Sequence, residues 1–283
     1  MAAIIKGGDV AAAMKETLLA ELEVLRKKGT EPRLGIVRVG ARADDLAYER
    51  GALKRFEGLG IATRVFEFPE DVDQKSFASE FAQIDASRDV HGILLFRPLP
   101  KHLDEEAVKK MIDPLKDVDG MSPLSVAKVF SGEEDGFAPC TPSAVMEMLS
   151  HAGVRLAGMN VVIVGRSMVV GRPLAMLMLK RNATVTICHT KTRNMAEICR
   201  NADVVVAAAG KARMLTADCV SEKSIVIDVG INVDENGKMC GDVDYDAVEP
   251  VVSMISPVPG GVGAVTTSVL AKHLLKAAGL QAG

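Results

Sequence analysis

The stretch Asn160-Val-Val-Ile-Val-Gly-Arg-Ser-Met-Val-Val-Gly-Arg-Pro173 decides the fold. Its first five residues end in four β-branched apolar side chains, a pattern typical of a buried strand, and Gly165 then interrupts the run. A helical pattern follows over residues 171–180. A strand that leads through a glycine turn into a helix is the start of a βαβ unit, so this stretch predicts a doubly wound parallel sheet.

The turn itself is suited to a pyrophosphate, because backbone N–H groups and the positive end of the helix dipole point out of it. It departs from the Gly-x-Gly-x-x-Gly pattern, since Ser167 occupies the second glycine position. An ordinary strand-to-helix turn therefore remains an alternative. Val169 stands where a Gly-x-Ser-x-Gly nucleophile turn needs glycine, which argues against a serine hydrolase.

The charges around the turn favour NADP over NAD. NAD sites place an acidic residue about 20 positions after the turn to bind the ribose diol, whereas NADP sites use arginine and hydroxyl groups. No Asp or Glu occurs over residues 166–196. We place Arg166 against the extra ribose phosphate and interpret the arginines at 172, 181 and 193 as solvated helix surface.

Outside this stretch, strands and helices alternate along the whole chain, which predicts an α/β protein. Helices are predicted over residues 10–28, 43–60, 73–87, 171–180 and 266–278, and strands over residues 34–39, 63–66, 92–96, 160–164, 184–188, 204–208 and 224–229. A polar, turn-rich segment over 131–142 suggests a domain boundary near residue 140. There, Thr141 before Pro142 is expected to cap a helix.

Composition excludes several classes of function. The chain has 283 residues and a net charge of −3, which disfavours a nucleic-acid partner. No stretch resembles a signal peptide or approaches the ~20 apolar residues of a membrane span, so we expect a cytoplasmic protein with no membrane partner. The five cysteines and five histidines form no ligand-spaced cluster, and neither a metal site nor a disulfide framework is expected.

Four segments together resemble the methylenetetrahydrofolate dehydrogenase/cyclohydrolase family. They are Tyr48 with the helix up to Gly60-Ile61, Lys116-Asp-Val-Asp-Gly120, the turn from Gly165 to Pro173, and Pro257-Val-Pro-Gly-Gly-Val-Gly263. Two shorter segments, 227–232 and 237–243, agree as well. Order and spacing match over about residues 33–270.

The resemblance implies a two-domain chain that acts on tetrahydrofolate in one-carbon metabolism. It implies an α/β folate domain over 1–140, a Rossmann-type NADP domain over 141–264, and a C-terminal helix over 265–283 that returns to the first domain. A folate cleft between the domains and a homodimer are further implications.

The resemblance also implies roles for individual residues. Tyr48 matches the aromatic residue that lies along the pterin, and Asp119 matches the carboxylate that holds the pterin amino edge; both are the expected catalytic positions. The remaining expected contacts are Pro257, Gly260 and Gly261 for the substrate, and Gly165, Arg166, Ser167, Gly171, Thr190 and Ile231 for the cofactor. Tyr48 could instead be a half-buried helix residue, Asp119 a turn residue before Gly120, and 257–263 a rigid turn.

The chain departs from the family pattern at the positions that serve hydrolysis. Ala52 stands where the family has a catalytic lysine, and Phe96 stands where it has the glutamine that partners this lysine. Asp45 replaces a serine, and Ala264-Val265 replaces Pro-Met. Arg97 follows Phe96 in a predicted strand, where side chains alternate between faces, so we expect that Arg97 cannot take the glutamine's place unless the strand bulges.

These departures predict a dehydrogenase whose cyclohydrolase step is weak or absent. Hydride transfer needs alignment of donor and acceptor, whereas attack by water needs proton handling. Two alternatives stay open at this point: an idle folate- or NADP-binding protein, and a dehydrogenase for another small substrate.

Overall fold

A computed structural model describes residues 2–282, and within it the chain divides into two compact units. The first comprises the residues up to Ala12 together with Thr141–Thr266 and is called the six-stranded unit below. The second comprises Ala13–Cys140 and the residues from Thr267 onward and is called the three-stranded unit. Each is described by itself.

The elements alternate as the sequence predicts. The strands are β1 (Ala3–Ile4), β2 (Arg33–Val39), β3 (Ala62–Phe68), β4 (Gly92–Leu95), β5 (Asn160–Val164), β6 (Thr184–Cys188), β7 (Val204–Ala207), β8 (Ile225–Asp228), β9 (Asn232–Val233), β10 (Met239–Cys240) and β11 (Met254–Ile255). The helices are α1 (Gly7–Lys27), α2 (Ala43–Glu57), α3 (Gln74–Ala86), α4 (Glu105–Lys109), α5 (Pro123–Ser131), α6 (Cys140–His151), α7 (Gly171–Lys180), α8 (Met195–Arg200), α9 (Tyr245–Val248) and α10 (Thr266–Gln281).

The six-stranded unit contains a parallel sheet with the strand order β1-β11-β8-β7-β5-β6. Strands β7 and β8 are buried along their whole length, and β5 is buried after its first residue, as expected for a sheet covered on both faces. The first residues of the chain belong to this unit because β1 pairs with β11 at the sheet edge. The strands β9 and β10 form a separate antiparallel pair.

The three-stranded unit contains the parallel sheet β3-β2-β4. Its core includes the fully buried rings of Phe56, Phe77 and Phe81, contributed by α2 and α3. Helix α3 begins where the Asp73 carboxylate accepts hydrogen bonds from the amides of Lys75 and Ser76.

The start of α6 differs from the expectation. The helix begins at Cys140, so Thr141 lies inside its first turn and the prediction of a Thr141 cap is wrong. The Asp119 carboxylate, 21 residues earlier, accepts the Cys140 amide hydrogen at 3.0 Å. A side chain distant in sequence therefore supplies the cap, and no local pattern could have indicated it.

None of the described helices is both long enough and apolar enough to cross a bilayer. Over residues 2–282, no group of three or more His, Cys, Asp or Glu side chains is arranged to hold a metal ion.

Candidate active site

The glycine turn after β5 is built from backbone groups in close approach. Gly165 has φ of 137°, a conformation that side-chain-bearing residues rarely adopt, and its amide donates to the Cys188 carbonyl at 2.9 Å. A Cβ atom on Gly165 would overlap the carbonyl of Ala208, and one on Gly171 would overlap the carbonyl of Gly165. Both glycines are therefore required for the turn to pack against the ends of β6 and β7.

Ser167, at the position where a second glycine was expected, has a structural task in the turn. Its hydroxyl oxygen accepts the Val170 amide hydrogen at 3.0 Å, directly before α7 begins. Arg166 and Ser167 are both exposed. The turn therefore presents a hydroxyl and a guanidinium to solvent at the N-terminus of a helix, where anions bind.

The loop after β6 lies beside this turn. Two hydrogen bonds between residues close in sequence fix its shape. The His189 amide donates to the Thr192 hydroxyl at 2.8 Å, and the Lys191 amide donates to the His189 ring at 3.1 Å. Thr190 is exposed at the tip. Because β5 and β6 are parallel neighbours, their carboxyl ends bring Arg166 and Thr190 to the same edge of the sheet.

A buried carboxylate, Asp242, joins two further loops at this edge. Its oxygens accept the amide hydrogens of Ala209, Gly210 and Lys211 at 2.6, 2.8 and 2.8 Å, and the side-chain amide of Asn232 at 2.9 Å. The side chain is fully buried. Asp242 therefore holds the loop after β7 and the turn after β8 in one arrangement.

Asp228, at the end of β8, is the second buried carboxylate. It accepts the amide hydrogens of Gly230, Asp242 and Val243 at 2.9, 3.0 and 2.9 Å. Burial raises its pKa to about 6.

The sequence analysis did not single out Asp228 or Asp242. The available signal was that both lie in the short segments, 227–232 and 237–243, that agree with the family.

The predicted substrate segment lines a cavity of about 240 Å³ in the six-stranded unit, which brings Gly260 and Gly261 together with Ile231. The Gly7 amide donates to the Gly260 carbonyl at 2.8 Å, which anchors this segment to the start of α1. Pro257 lines an adjoining cavity of about 270 Å³ that shares Asp228, among other residues, with the first.

In the three-stranded unit, Tyr48 lies on α2 beside the two departures from the family pattern. Its ring meets the ring of Phe96 edge-on, with the centroids 6.0 Å apart. Ala52, one helical turn beyond Tyr48, is fully buried, and Phe96 is buried as well. The side chains of positions 52 and 96, which the resemblance assigns to a lysine and a glutamine, are therefore both apolar and buried beside Tyr48.

Asp119 lies in the same unit and is held by two partners. One carboxylate oxygen accepts the Cys140 amide hydrogen, and the other lies 3.9 Å from the Arg97 guanidinium. Burial raises the pKa of Asp119, while the Cys140 hydrogen bonds and the Arg97 charge oppose that rise. The Asp119 carboxylate is thus fixed from two sides.

Arg97 does not follow the predicted alternation. Strand β4 ends at Leu95, so Phe96 and Arg97 lie beyond it and the rule of opposite faces does not apply to them. The guanidinium reaches within 3.9 Å of both Asp119 and Glu105. Strand alternation therefore does not decide whether Arg97 takes the glutamine's place, and that expectation stays a prediction.

Asp45, the third departure, forms an ion pair at the start of α2. Its carboxylate accepts two hydrogen bonds from the Arg42 guanidinium, at 2.8 and 2.9 Å, and the Asp45 side chain is mostly buried. This pair lies in the first turn of α2, and Asp45 is three residues before Tyr48 on the same helix.

A doubly wound parallel sheet with a glycine turn, carried together with a separate α/β unit, defines a two-domain protein with a nucleotide-binding domain of the Rossmann type. Residues 139–282 match the tetrahydrofolate dehydrogenase/cyclohydrolase NAD(P)-binding domain, and residues 5–119 match the catalytic domain of the same family. The chain belongs to this family, and the predicted family and fold class are confirmed.

Individual relatives agree over nearly the whole chain. The chain is 55% identical over 278 residues to the bifunctional protein FolD of Clostridioides difficile (strain 630), covering 98% of this chain and 97% of the relative. The structure of the bifunctional enzyme FolD from Campylobacter jejuni superposes with a TM-score of 0.96 at 37% identity, covering 99% of this chain and 100% of that one. The Trypanosoma brucei enzyme, solved with NADP and an inhibitor, gives 0.92 at 35% identity, covering 99% and 98%.

Proposed function

We propose that this chain oxidises 5,10-methylenetetrahydrofolate to 5,10-methenyltetrahydrofolate with NADP, and that it has lost most or all of the cyclohydrolase step. One observation carries the proposal. The nucleotide turn, Tyr48 and Asp119 are present, whereas Ala52 and Phe96 make the surface beside Tyr48 apolar.

The residues at the sheet edge fit a dinucleotide phosphate. Gly165 and Gly171 form a cradle that a Cβ atom would fill, and backbone amides at the start of α7 suit the pyrophosphate. Arg166 and Thr190 offer a guanidinium and a hydroxyl for the extra ribose phosphate. When bound, NADP supplies a two-electron hydride acceptor. The residues we assign to it are Gly165, Arg166, Ser167, Gly171, Thr190 and Ile231.

The protein's part in oxidation is to bind and orient the folate. We assign Tyr48 to the pterin face, Asp119 to its donor edge, and Pro257, Gly260 and Gly261 to backbone contact with the substrate. The hydride leaves the methylene carbon with both electrons of its C–H bond. A folate nitrogen lone pair then forms a C–N π bond and stabilises the cation, so no side-chain base is required.

Hydrolysis of the methenyl product makes a different demand. Water must lose a proton as it attacks the methenyl carbon, and a positioned side chain must accept that proton. Neither Ala52 nor Phe96 can do so. Arg97 lies nearby, but a guanidinium stays protonated and cannot act as a base.

Two assays test the proposal. NADPH absorbance is followed after methylenetetrahydrofolate is added with NADP or with NAD, and we expect rapid formation with NADP. Decay of methenyltetrahydrofolate absorbance is then followed with and without protein, and we expect the two decays to coincide. Failure to form NADPH would indicate an idle binding protein, and fast enzyme-dependent decay would contradict the loss of hydrolysis.

The proposal includes a homodimer that works in the cytoplasm, as expected from the sequence. The hairpin of β9 and β10 exposes Val233 and Met239, which supports an interface with a second copy. Sedimentation equilibrium of the purified chain distinguishes a dimer from a monomer.

A further inference from the structure

Arg97 is a charged side chain beside the candidate folate site, and the proposed function gives it no role. Its guanidinium lies 3.9 Å from a carboxylate oxygen of Asp119 and 3.9 Å from one of Glu105. The side chain is only 16% exposed. A partly buried guanidinium next to the carboxylate assigned to the pterin is placed to recognise the same ligand.

We propose that Arg97 is a specificity-determining residue and that Arg97 and Asp119 together recognise the pyrimidine edge of the pterin. In this arrangement the Asp119 carboxylate accepts hydrogen bonds from the 2-amino group and N3–H, and the Arg97 guanidinium donates to the 4-oxo group. The inference rests on the proposed function, because it assumes a folate substrate.

The surroundings of Arg97 hold it in place. Glu105 lies in the first turn of α4, accepts the Leu99 amide hydrogen at 2.9 Å, and pairs with Lys109 at 2.9 Å. These contacts lower the pKa of Glu105, although burial opposes them. An ionised, anchored Glu105 therefore holds the guanidinium from the side opposite Asp119.

Arg97 nevertheless keeps hydrogen-bond donors for a ligand. At 3.9 Å from each carboxylate it is within ion-pair range of both, but too far to complete a hydrogen bond with either. A guanidinium has five N–H donors in a planar fork. Bridging two carboxylates at this distance leaves the fork available for an acceptor that enters beside Asp119.

The chemistry of the pterin matches this pair. Along its pyrimidine edge a pterin presents a donor at the 2-amino group, a donor at N3 and an acceptor at the 4-oxo group. A carboxylate followed by a guanidinium presents the complementary order of acceptors and donor. A leucine at position 97 would leave the 4-oxo group without this partner.

The test compares two ligands that differ at this acceptor. Inhibition constants of folic acid and of its 4-amino-4-deoxy analogue are measured for the full chain, for Arg97→Leu and for Arg97→Lys. In the analogue an amino donor replaces the 4-oxo acceptor and faces the guanidinium, and N3 loses its hydrogen. The change at N3 faces Asp119 in every variant, so only the change in preference between variants at position 97 reports on Arg97. We expect the chain to prefer folic acid and Arg97→Leu to lose about 10-fold of that preference, as for one hydrogen bond to a charged group.

Further measurements separate recognition from a structural role. Arg97→Leu should raise KM for methylenetetrahydrofolate by about 10-fold with little change in kcat, while the affinity for NADP is unchanged. Arg97→Lys keeps the charge but not the planar fork of donors, so its ligand preference and KM should lie between those of the unaltered chain and of Arg97→Leu. It also replaces Arg97→Leu in the test if that variant does not fold. Arg88→Leu removes an exposed arginine of the same unit and should change neither ligand preference nor KM.

Each outcome has one meaning. If the ligand preference is the same with arginine, lysine and leucine at position 97, the inference is overturned even where KM rises. If the unaltered chain forms no NADPH and binds neither pterin, the proposed function fails first. An active chain with an unchanged preference ratio contradicts only the role of Arg97.

Discussion

The two units differ in how far they keep the family pattern around their sites. In the six-stranded unit, the glycine turn packs closely against Ala208, and Asp242 ties the neighbouring loops together at the edge where we propose that NADP binds. In the three-stranded unit, Tyr48 and Asp119 remain, but Ala52, Phe96 and Arg97 change the surface around them. Under the proposed function, the positions kept would align the hydride donor, and the positions changed would have handled protons.

This contrast separates two kinds of catalysis on one scaffold. Hydride transfer depends on the geometry of donor and acceptor, which many backbone and side-chain contacts set together. Hydrolysis depends on one group of suitable pKa at one position, so its loss removes the step.

The largest effect is expected at Asp242, which ties the loops at the proposed NADP edge. Asp242→Ala leaves three backbone amides and the Asn232 side chain without an acceptor. We expect the free energy of unfolding to fall by about 3 kcal/mol or more and NADP to bind at least ~10-fold more weakly. Urea unfolding and NADP titration measure the two effects.

Asp244→Ala is the matched control for that variant, since Asp244 is two residues away and its side chain does not cap α9. It should change both quantities little. Equal NADP affinity in Asp242→Ala and the unaltered chain would show that the loops do not depend on this carboxylate.

The next effect concerns the choice of cofactor within the same unit. Arg166→Ala should weaken NADP by about 10- to 100-fold and leave NAD nearly unchanged, because a guanidinium–phosphate hydrogen bond contributes about 1.5–3 kcal/mol. Steady-state kinetics with both cofactors measure the ratio, and Arg172→Ala on the exposed face of α7 is the control. Equal loss with NADP and NAD would contradict the placement of Arg166 at the extra phosphate.

A third prediction concerns the stability of the three-stranded unit in acid. Burial lowers the pKa of His273 to about 4, and the Nδ1–H of the neutral ring donates to the Val118 carbonyl at 2.8 Å. An unfolded histidine titrates near ~6.5, so this contribution to stability is complete above that pH and is lost as the pH falls toward the folded value. Between pH ~7 and ~5 we expect a loss of about 2 kcal/mol.

His273→Asn retains a side-chain N–H donor but does not titrate, so its stability should vary less over this interval. Urea unfolding at the two pH values measures the difference, with the exposed His151→Asn as control. If unaltered chain and His273→Asn show the same pH dependence, another group is responsible.

Sequence patterns predicted the local features of both units well. The bounds of β5, α7 and β6 agree to the residue, because a short apolar run, a glycine turn and a 3.6-residue period are each local signals. Strands β1 and β11 have two residues each and are defined by the partner strands they join, so they were not predicted.

What the sequence did not reveal depends on long-range contacts. The cap of α6 comes from Asp119, and Asp242 binds amides more than 30 residues away. The position of Arg97 depends on where β4 ends, which the apolar run over 92–96 does not show. The roles of the predicted site residues, from Tyr48 to Ile231, stay predictions.

The smallest expected effect would restore the lost half of the family's chemistry. Ala52→Lys with Phe96→Gln returns the lysine and its polar partner to the face next to Tyr48, since position 52 follows Tyr48 by one helical turn. Because position 52 is fully buried, the lysine alone would lose hydration without gaining a partner, so Ala52→Lys should hydrolyse methenyltetrahydrofolate no faster than the unaltered chain. The double variant should increase enzyme-dependent decay by about 10-fold, below the ~100-fold or more of an evolved general base, because the surrounding shell is not adapted to it. Its rate of NADPH formation reports whether the folate site remains intact. An active dehydrogenase with no gain in hydrolysis would mean that the loss of these two residues is not what separates the two activities.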